Sequence, residues 1–230
     1  MEAGHAYGWG VIAPSDLPRR LLIVSDVDST FIGQEVIELI ARRAGAESEV
    51  AEVTEAAMRG ELDFAESLQA RVATLAGLPV AVLDEVRADV TLTPGVPELL
   101  AWAAERGHVV ALVSGGFHEV VDPLAATLGI RHVRANRLEV SDGILTGNLA
   151  GPIVDRAGKA AALEEFARAE DIALSATVAV GDGANDLDMI AAAGLGVAFA
   201  AKPLVADQAQ RTLPGPRLDA LIPLLENWTP

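Results

Sequence analysis

Short apolar runs that stop abruptly at polar or glycine residues recur along this chain. Leu21-Leu22-Ile23-Val24 stops at Ser25-Asp26, and Val109-Val110-Ala111-Leu112-Val113 stops at Ser114-Gly115-Gly116. Thr177-Val178-Ala179-Val180 ends at Gly181-Asp182-Gly183, and Gly196-Val197-Ala198-Phe199 is a weaker fourth case. Runs this short, apolar at consecutive positions, predict strands buried on both faces. Between them the spacing turns helical. Leu99, Leu100, Trp102 and Ala103 mark one stripe, and Val120, Val121, Leu124, Ala125 and Leu128 another. A third helix is expected from about Lys159 to Ala169, with Ala162, Leu163 and Phe166 inward.

Strands alternating with helices predict an α/β fold, a Rossmann-like, mostly parallel sheet flanked by helices with right-handed crossovers. Ligands collect at the carboxyl ends of such strands. Residues 34–93 break the alternation: they carry helical patterns such as Val36-Ile37-x-Leu39-Ile40 and Phe64-x-x-x-Leu68-x-x-x-Val72 and no convincing strand. We read them as a helical cap inserted after the first strand, with residues 21–33 and 94–230 forming the α/β core. Residues 1–20, rich in Gly, Pro and small side chains, read as a lead-in. Asp142-Gly143 between Arg137-Leu138-Glu139-Val140 and Ile144-Leu145-Thr146 predicts a hairpin.

Composition narrows the function. Of 230 residues, 51% are hydrophobic and 22% charged, which suits a packed globular chain. The formal charge of −16 argues against a nucleic-acid partner and against steering of anionic substrates by the overall field. A site for an anion must therefore gather its own cations. The absence of cysteine excludes disulfides, thiolate metal sites and thiol nucleophiles. No apolar stretch is long enough for a signal peptide in residues 1–20 or for a membrane span anywhere, so no membrane partner and a cytoplasmic location are expected.

Four polar clusters fall at or just beyond predicted strand ends. In Asp26-Val27-Asp28-Ser29-Thr30, two carboxylates at one sheet edge need a hard cation such as Mg²⁺, or one of them must stay protonated. The alternative is that Asp26 simply ends the strand and Asp28 or Ser29 caps the next helix. Ser114-Gly115-Gly116 offers a hydroxyl and glycine amides to a phosphoryl oxygen, or is an ordinary tight turn. Lys159, expected to open a helix, can neutralise a phosphoryl group or be a solvated surface lysine. Gly181-Asp182-Gly183-Ala184-Asn185-Asp186 suits an oxygen-ligand metal site, or a strand-to-helix loop capped by Asn185 or Asp186.

In order, these clusters resemble the four motifs of the haloacid dehalogenase superfamily of phosphatases. Within it the chain is similar to the phosphoserine phosphatases, on Asp-x-Asp-Ser-Thr followed by Glu35, on Phe64 and Arg71, and on Ser-Gly-Gly-Phe at 114–117. Ala135-Asn136-Arg137-Leu138 and Ala200-Ala201-Lys202-Pro203 add to the likeness. The resemblance implies hydrolysis of a small phosphate monoester, O-phospho-L-serine, in the last step of serine biosynthesis. It implies Asp26 as nucleophile and Asp28 as acid and base. It further implies Mg²⁺ held by the side chains of Asp26 and Asp182 and the carbonyl of Asp28, a phosphate site made of Ser114, Gly115, Lys159 and Asn185, and Asp186 behind the metal. Glu35 suits the substrate ammonium and Arg71 its carboxylate. Phe64 and Met58 are expected to line the closed site or to pack within the cap. Three other readings stand beside this one: action on a different phosphate ester or acceptor, a non-catalytic switch or binding module phosphorylated on Asp26, and a structural protein that inherited the fold.

Overall fold

The computed structural model describes residues 20–58 and 61–229. Of the lead-in expected over residues 1–20, only Arg20 falls within them. The chain opens with β1 (Leu22–Asp26), whose five residues are all buried. Four helices follow: α1 (Val36–Ala44), α2 (Glu47–Met58), α3 (Phe64–Ala73) and α4 (Val82–Asp89). The core resumes with α5 (Val96–Glu105), β2 (Val109–Phe117), α6 (His118–Thr127) and β3 (His132–Asn136). A hairpin, β4 (Leu138–Ser141) and β5 (Ile144–Leu149), precedes α7 (Arg156–Ala169) and β6 (Thr177–Gly181). Next come α8 (Leu187–Ala192), β7 (Leu195–Phe199) and β8 (Arg211–Leu213).

Six strands form one sheet in the order β3-β2-β1-β6-β7-β8, every pair parallel. The chain builds outward from β1 to β3, then returns to lay β6 against the other side of β1. The order therefore reverses between β1 and β6, and a crevice opens at their carboxyl ends. Asp26 ends β1 and Gly181-Asp182 ends β6, so the predicted acidic clusters meet at that crevice.

The predicted α/β class with an inserted helical cap is the observed one, with differences at the margins. The sequence pattern does not reveal β3 or β8. In β3 the polar side chains of His132, Arg134 and Asn136 alternate with Val133 and Ala135, because it is an edge strand with one face partly open. β8 is only three residues long. The helix expected from Lys159 starts at Arg156, because the Asp155 side chain accepts the Gly158 N–H at 2.8 Å and sets an earlier N-terminus.

The cap joins the core through two crossing segments bound together. Ile32 bridges Leu92, Gly33 N donates to Thr91 O at 3.0 Å, and Thr93 N donates to Phe31 O at 3.0 Å. The Gln34 amide spans both sides, donating to Thr91 Oγ1 (2.7 Å) and accepting from Thr91 N (3.0 Å). Further ties lie outside the linkers. The predicted Asp142-Gly143 turn has both residues left-handed (φ 51° and 76°), as a two-residue hairpin turn requires. Its strand β5 pairs with the cap through Gly77 N to Leu145 O (2.9 Å) and Leu145 N to Leu78 O (2.8 Å). Pro123 inside α6 has no N–H to offer the Glu119 carbonyl, and Arg87 of α4 donates to it instead at 3.0 Å. Among the described residues, no helix is long and apolar enough to cross a membrane.

Candidate active site

At the end of β1 the backbone leaves the sheet in an irregular turn over Val27–Phe31. Asp28 is extended (φ −65°, ψ 132°) and Ser29 left-handed (φ 56°). Lys159, in the first turn of α7 and wholly buried, reaches the same place. Its ammonium donates to Asp26 Oδ1 and, at 2.6 Å, to Asp186 Oδ1. The other Asp186 oxygen accepts from the backbone N–H of Asp182 (3.1 Å) and Gly183 (3.0 Å). A Cβ on Gly181 would lie 2.4 Å from that carboxylate, so only glycine leaves room for it. Thr30 Oγ1 donates to Asp182 Oδ1 at 3.2 Å.

One carboxylate oxygen each from Asp26, Asp182 and Asp186 lies within 4.8 Å of the others. An all-oxygen donor set of this kind fits a hard divalent cation. Both Asp186 oxygens already accept hydrogen bonds, so Asp26 and Asp182 are the better placed to turn toward a metal.

The charges are unbalanced, and the protonation equilibria record it. Burial raises the Asp26 carboxyl well above its ordinary value, with Asp186 pushing the same way and Lys159 opposing. Burial pushes Asp182 up to about 6, aided by Asp186 and Glu35. Asp28 goes up to about 8, from burial first and Glu35 next. Burial alone would strip the proton from Lys159, but Asp26 and Asp186 outweigh it and hold the ammonium charged, above the ordinary lysine range. The surplus negative charge is what a bound cation would relieve.

The end of β2 closes the opposite wall. Between Val113 and Phe117 its pairing with β3 is interrupted, and Ser114, Gly115 and Gly116 occupy the irregular stretch. Gly116 N donates to Ser114 Oγ at 2.8 Å, which leaves the Ser114 hydroxyl proton for another acceptor. A Cβ on Gly116 would stand 3.0 Å from Asp28 Oδ2, so this glycine lets Asp28 lie against the loop. The Cβ position of Gly115 is 3.1 Å from Phe64 Cζ and 3.8 Å from Asn185 Nδ2. Phe64 opens cap helix α3, so the cap is folded down over the sheet edge.

Glu35 is held by Ser29, whose hydroxyl donates to it at 2.7 Å. Arg71, in the last turn of α3, is partly buried. Burial lowers its guanidinium pKa, and the charges of Glu35, Asp28 and Glu38 oppose that shift. Asp26, Asp28, Asp182, Ser114, Gly115, Lys159 and Asn185 thus meet at one crevice, and Glu35 and Arg71 approach it from the cap side. The Met58 side chain lies outside the described residues. Read from the sequence, Thr30 has no role, Ser29 is only a candidate helix cap, and Gly116 is part of the phosphate-site turn, its close approach to Asp28 unforeseen. Asn136 had no local signal beyond the four-residue likeness at 135–138.

A family model for haloacid dehalogenase-like hydrolases matches residues 23–191, from the first buried strand to the loop and helix after Asp186. The chain belongs to that family. The phosphoserine phosphatase of Streptomyces coelicolor is 58% identical over 216 residues, covering 93% of this chain but only 53% of that protein. The chain thus spans about half the length of that relative. The phosphoserine phosphatase of Streptococcus thermophilus is 51% identical, over 89% of this chain and 95% of its own. Among solved structures, a phospho-aspartyl intermediate analogue of phosphoserine phosphatase superposes with a TM-score of 0.84 at 41% identity, covering 90% of this chain and 99% of the other. The likeness to phosphoserine phosphatases read from the motifs is borne out.

Proposed function

We propose that this protein hydrolyses O-phospho-L-serine to L-serine and phosphate through a phosphorylated Asp26. The observation that carries the reading is the division of labour between two carboxyls at one strand end. Asp26 is bonded to the buried ammonium of Lys159, which opposes the rise that burial imposes on it, while Asp28 accepts, among the described residues, only the Val36 N–H, at 3.4 Å, and is pushed up to about 8.

In this reading an Asp26 carboxylate oxygen attacks phosphorus as the bond from phosphorus to the serine oxygen breaks. Asp28 gives its proton to that oxygen, and L-serine leaves. Asp28, now ionised, takes a proton from the water that attacks the acyl phosphate. Phosphate departs, and both carboxyls return to their starting state. Ser114, the Gly115 amide and Lys159 would hold the phosphoryl oxygens, with Asn185 beside them. Mg²⁺ fits the oxygen donors and would be held by the side chains of Asp26 and Asp182 and the Asp28 carbonyl, with Asp186 behind. When bound, the cation would offset the surplus carboxylate charge and draw charge from the phosphoryl oxygens. Glu35 would accept the substrate ammonium, and Arg71 would bind its carboxylate.

Phosphate release from a panel of monoesters, with Mg²⁺ and with EDTA, tests the reading. Metal-dependent turnover that strongly prefers O-phospho-L-serine is expected. Equal turnover of esters lacking an amino-acid head would reject the substrate, and no turnover of any ester would reject the reaction.

A further inference from the structure

Asn136 ends β3, is buried, and belongs to none of the four acidic and phosphate-binding clusters. Its side chain nevertheless ties one of them to the segment that leads into the helix of another. Asn136 Nδ2 donates to the Gly115 carbonyl at 2.8 Å. Asn136 Oδ1 accepts the Val154 N–H at 2.7 Å, one residue before Asp155, which caps the helix carrying Lys159. The Gly115 carbonyl and the Gly116 N–H belong to one planar trans peptide and so point in opposite directions. The carbonyl is fixed by Asn136 and the N–H by Ser114 Oγ, at 2.8 Å. Both ends of this peptide are thereby pinned in the stretch where the β2–β3 register breaks and no ladder holds it.

We infer that Asn136 is a positioning residue for the phosphoryl group: it sets the Gly115–Gly116 peptide, through it the Ser114 hydroxyl, and ties both to the start of the helix that delivers Lys159. It touches neither substrate nor metal. The inference rests on reading Ser114, Gly115 and Lys159 as phosphoryl ligands. An amide is needed because one end must donate and the other accept, which neither a carboxylate nor an apolar isostere can do.

The test uses Asn136→Asp, which keeps the acceptor for Val154 and the side-chain size but turns an acceptor toward the Gly115 carbonyl. Asn136→Ser, uncharged and smaller, carries the test if the aspartate variant does not fold. Two quantities are read. One is the rise in melting temperature given by inorganic phosphate in the presence of Mg²⁺. The other is kcat/KM on O-phospho-L-serine and on p-nitrophenyl phosphate. A misplaced phosphoryl grip should lower kcat/KM about 10–100-fold, by the same factor on both esters, because the leaving group is not involved. The phosphate-induced rise should shrink in either variant, measured against that variant's own ligand-free melting temperature, which the buried carboxylate of the aspartate variant lowers by itself. A folded variant with undiminished phosphate protection and kcat/KM within about 2-fold of wild type, or a loss confined to phosphoserine, overturns the role of Asn136. Wild-type protein that neither binds phosphate nor cleaves either ester overturns the reading of the site itself, and the inference with it.

Discussion

Raising the pH without metal should destabilise this protein, and a divalent cation should remove the effect. Asp28 and Asp182 have folded pKa values of about 8 and about 6 against an ordinary 3.8. Each holds its proton more tightly when folded, so the folded state binds more protons between the two values. Stability that is full below the unfolded pKa is lost as pH climbs through the folded one. Between pH 5 and 8 the pair would weaken folding by about 3–5 kcal/mol, at about 1.4 kcal/mol per pKa unit. Asp26, also raised by burial, acts in the same direction. Half-buried His108, whose pKa burial lowers, opposes modestly, gaining stability as pH rises through its ordinary 6.5.

For a chain of this size each kcal/mol moves the melting temperature by about 2–4 °C, so a fall of about 6–20 °C is expected from pH 5 to pH 8 in EDTA. With millimolar Mg²⁺ the carboxylates gain a counter-charge and most of that fall should vanish, the cation stabilising more at pH 8 than at pH 5. Differential scanning fluorimetry across this range, with EDTA and with Mg²⁺, reads both. A metal-free melting temperature that stays level or rises toward pH 8 would refute the charge accounting. So would Mg²⁺ that raises it no more at pH 8 than at pH 5.

Other perturbations isolate single parts of the site. Gly116→Ala places a methyl 3.0 Å from both Asp28 Oδ2 and Ser114 Oγ, and should cut kcat about 10–100-fold with little change in melting temperature; steady-state kinetics at saturating substrate would show it, and unchanged kcat would mean the loop tolerates the shift. Glu35→Gln should lower kcat/KM for phosphoserine about 10-fold or more yet spare esters without an ammonium group; equal losses on both would remove Glu35 from substrate selection. Lys159→Met strands Asp26 and Asp186 without their buried counter-charge and should cost about 3–5 kcal/mol in chemical denaturation as well as abolishing turnover. A Lys159→Met protein as stable as wild type would contradict the buried pairing.

The sequence shows most plainly what repeats or what is locally dense. Four apolar runs mark strands β1, β2, β6 and β7, because strands buried on both faces have no polar alternation to hide them. The edge strands β3 and β8 escape, since an edge presents a mixed face or too few residues. Asp26, Asp28, Ser114 and Asp182 stand out because each follows such a run directly. Glu35, at the N-cap of α1, and Arg71, within α3, look like ordinary charges whose selection needs the family likeness. Asn136 is hidden for another reason: its partners lie 21 residues before and 18 after it, and nothing local announces that one amide links them. The same holds for Arg87, whose bond to the Glu119 carbonyl exists because Pro123, in a different helix, has no N–H to give.

The central claim is that Asp26 carries the phosphoryl group. Its most direct test is phosphate release from O-phospho-L-serine in Mg²⁺ by wild type and by Asp26→Asn, side by side and both checked for folding. Rapid release by wild type and none above background from the folded variant is the predicted result. An Asp26→Asn protein that still turns over phosphoserine at a substantial fraction of the wild-type rate would contradict it, and would move the nucleophile elsewhere in the site.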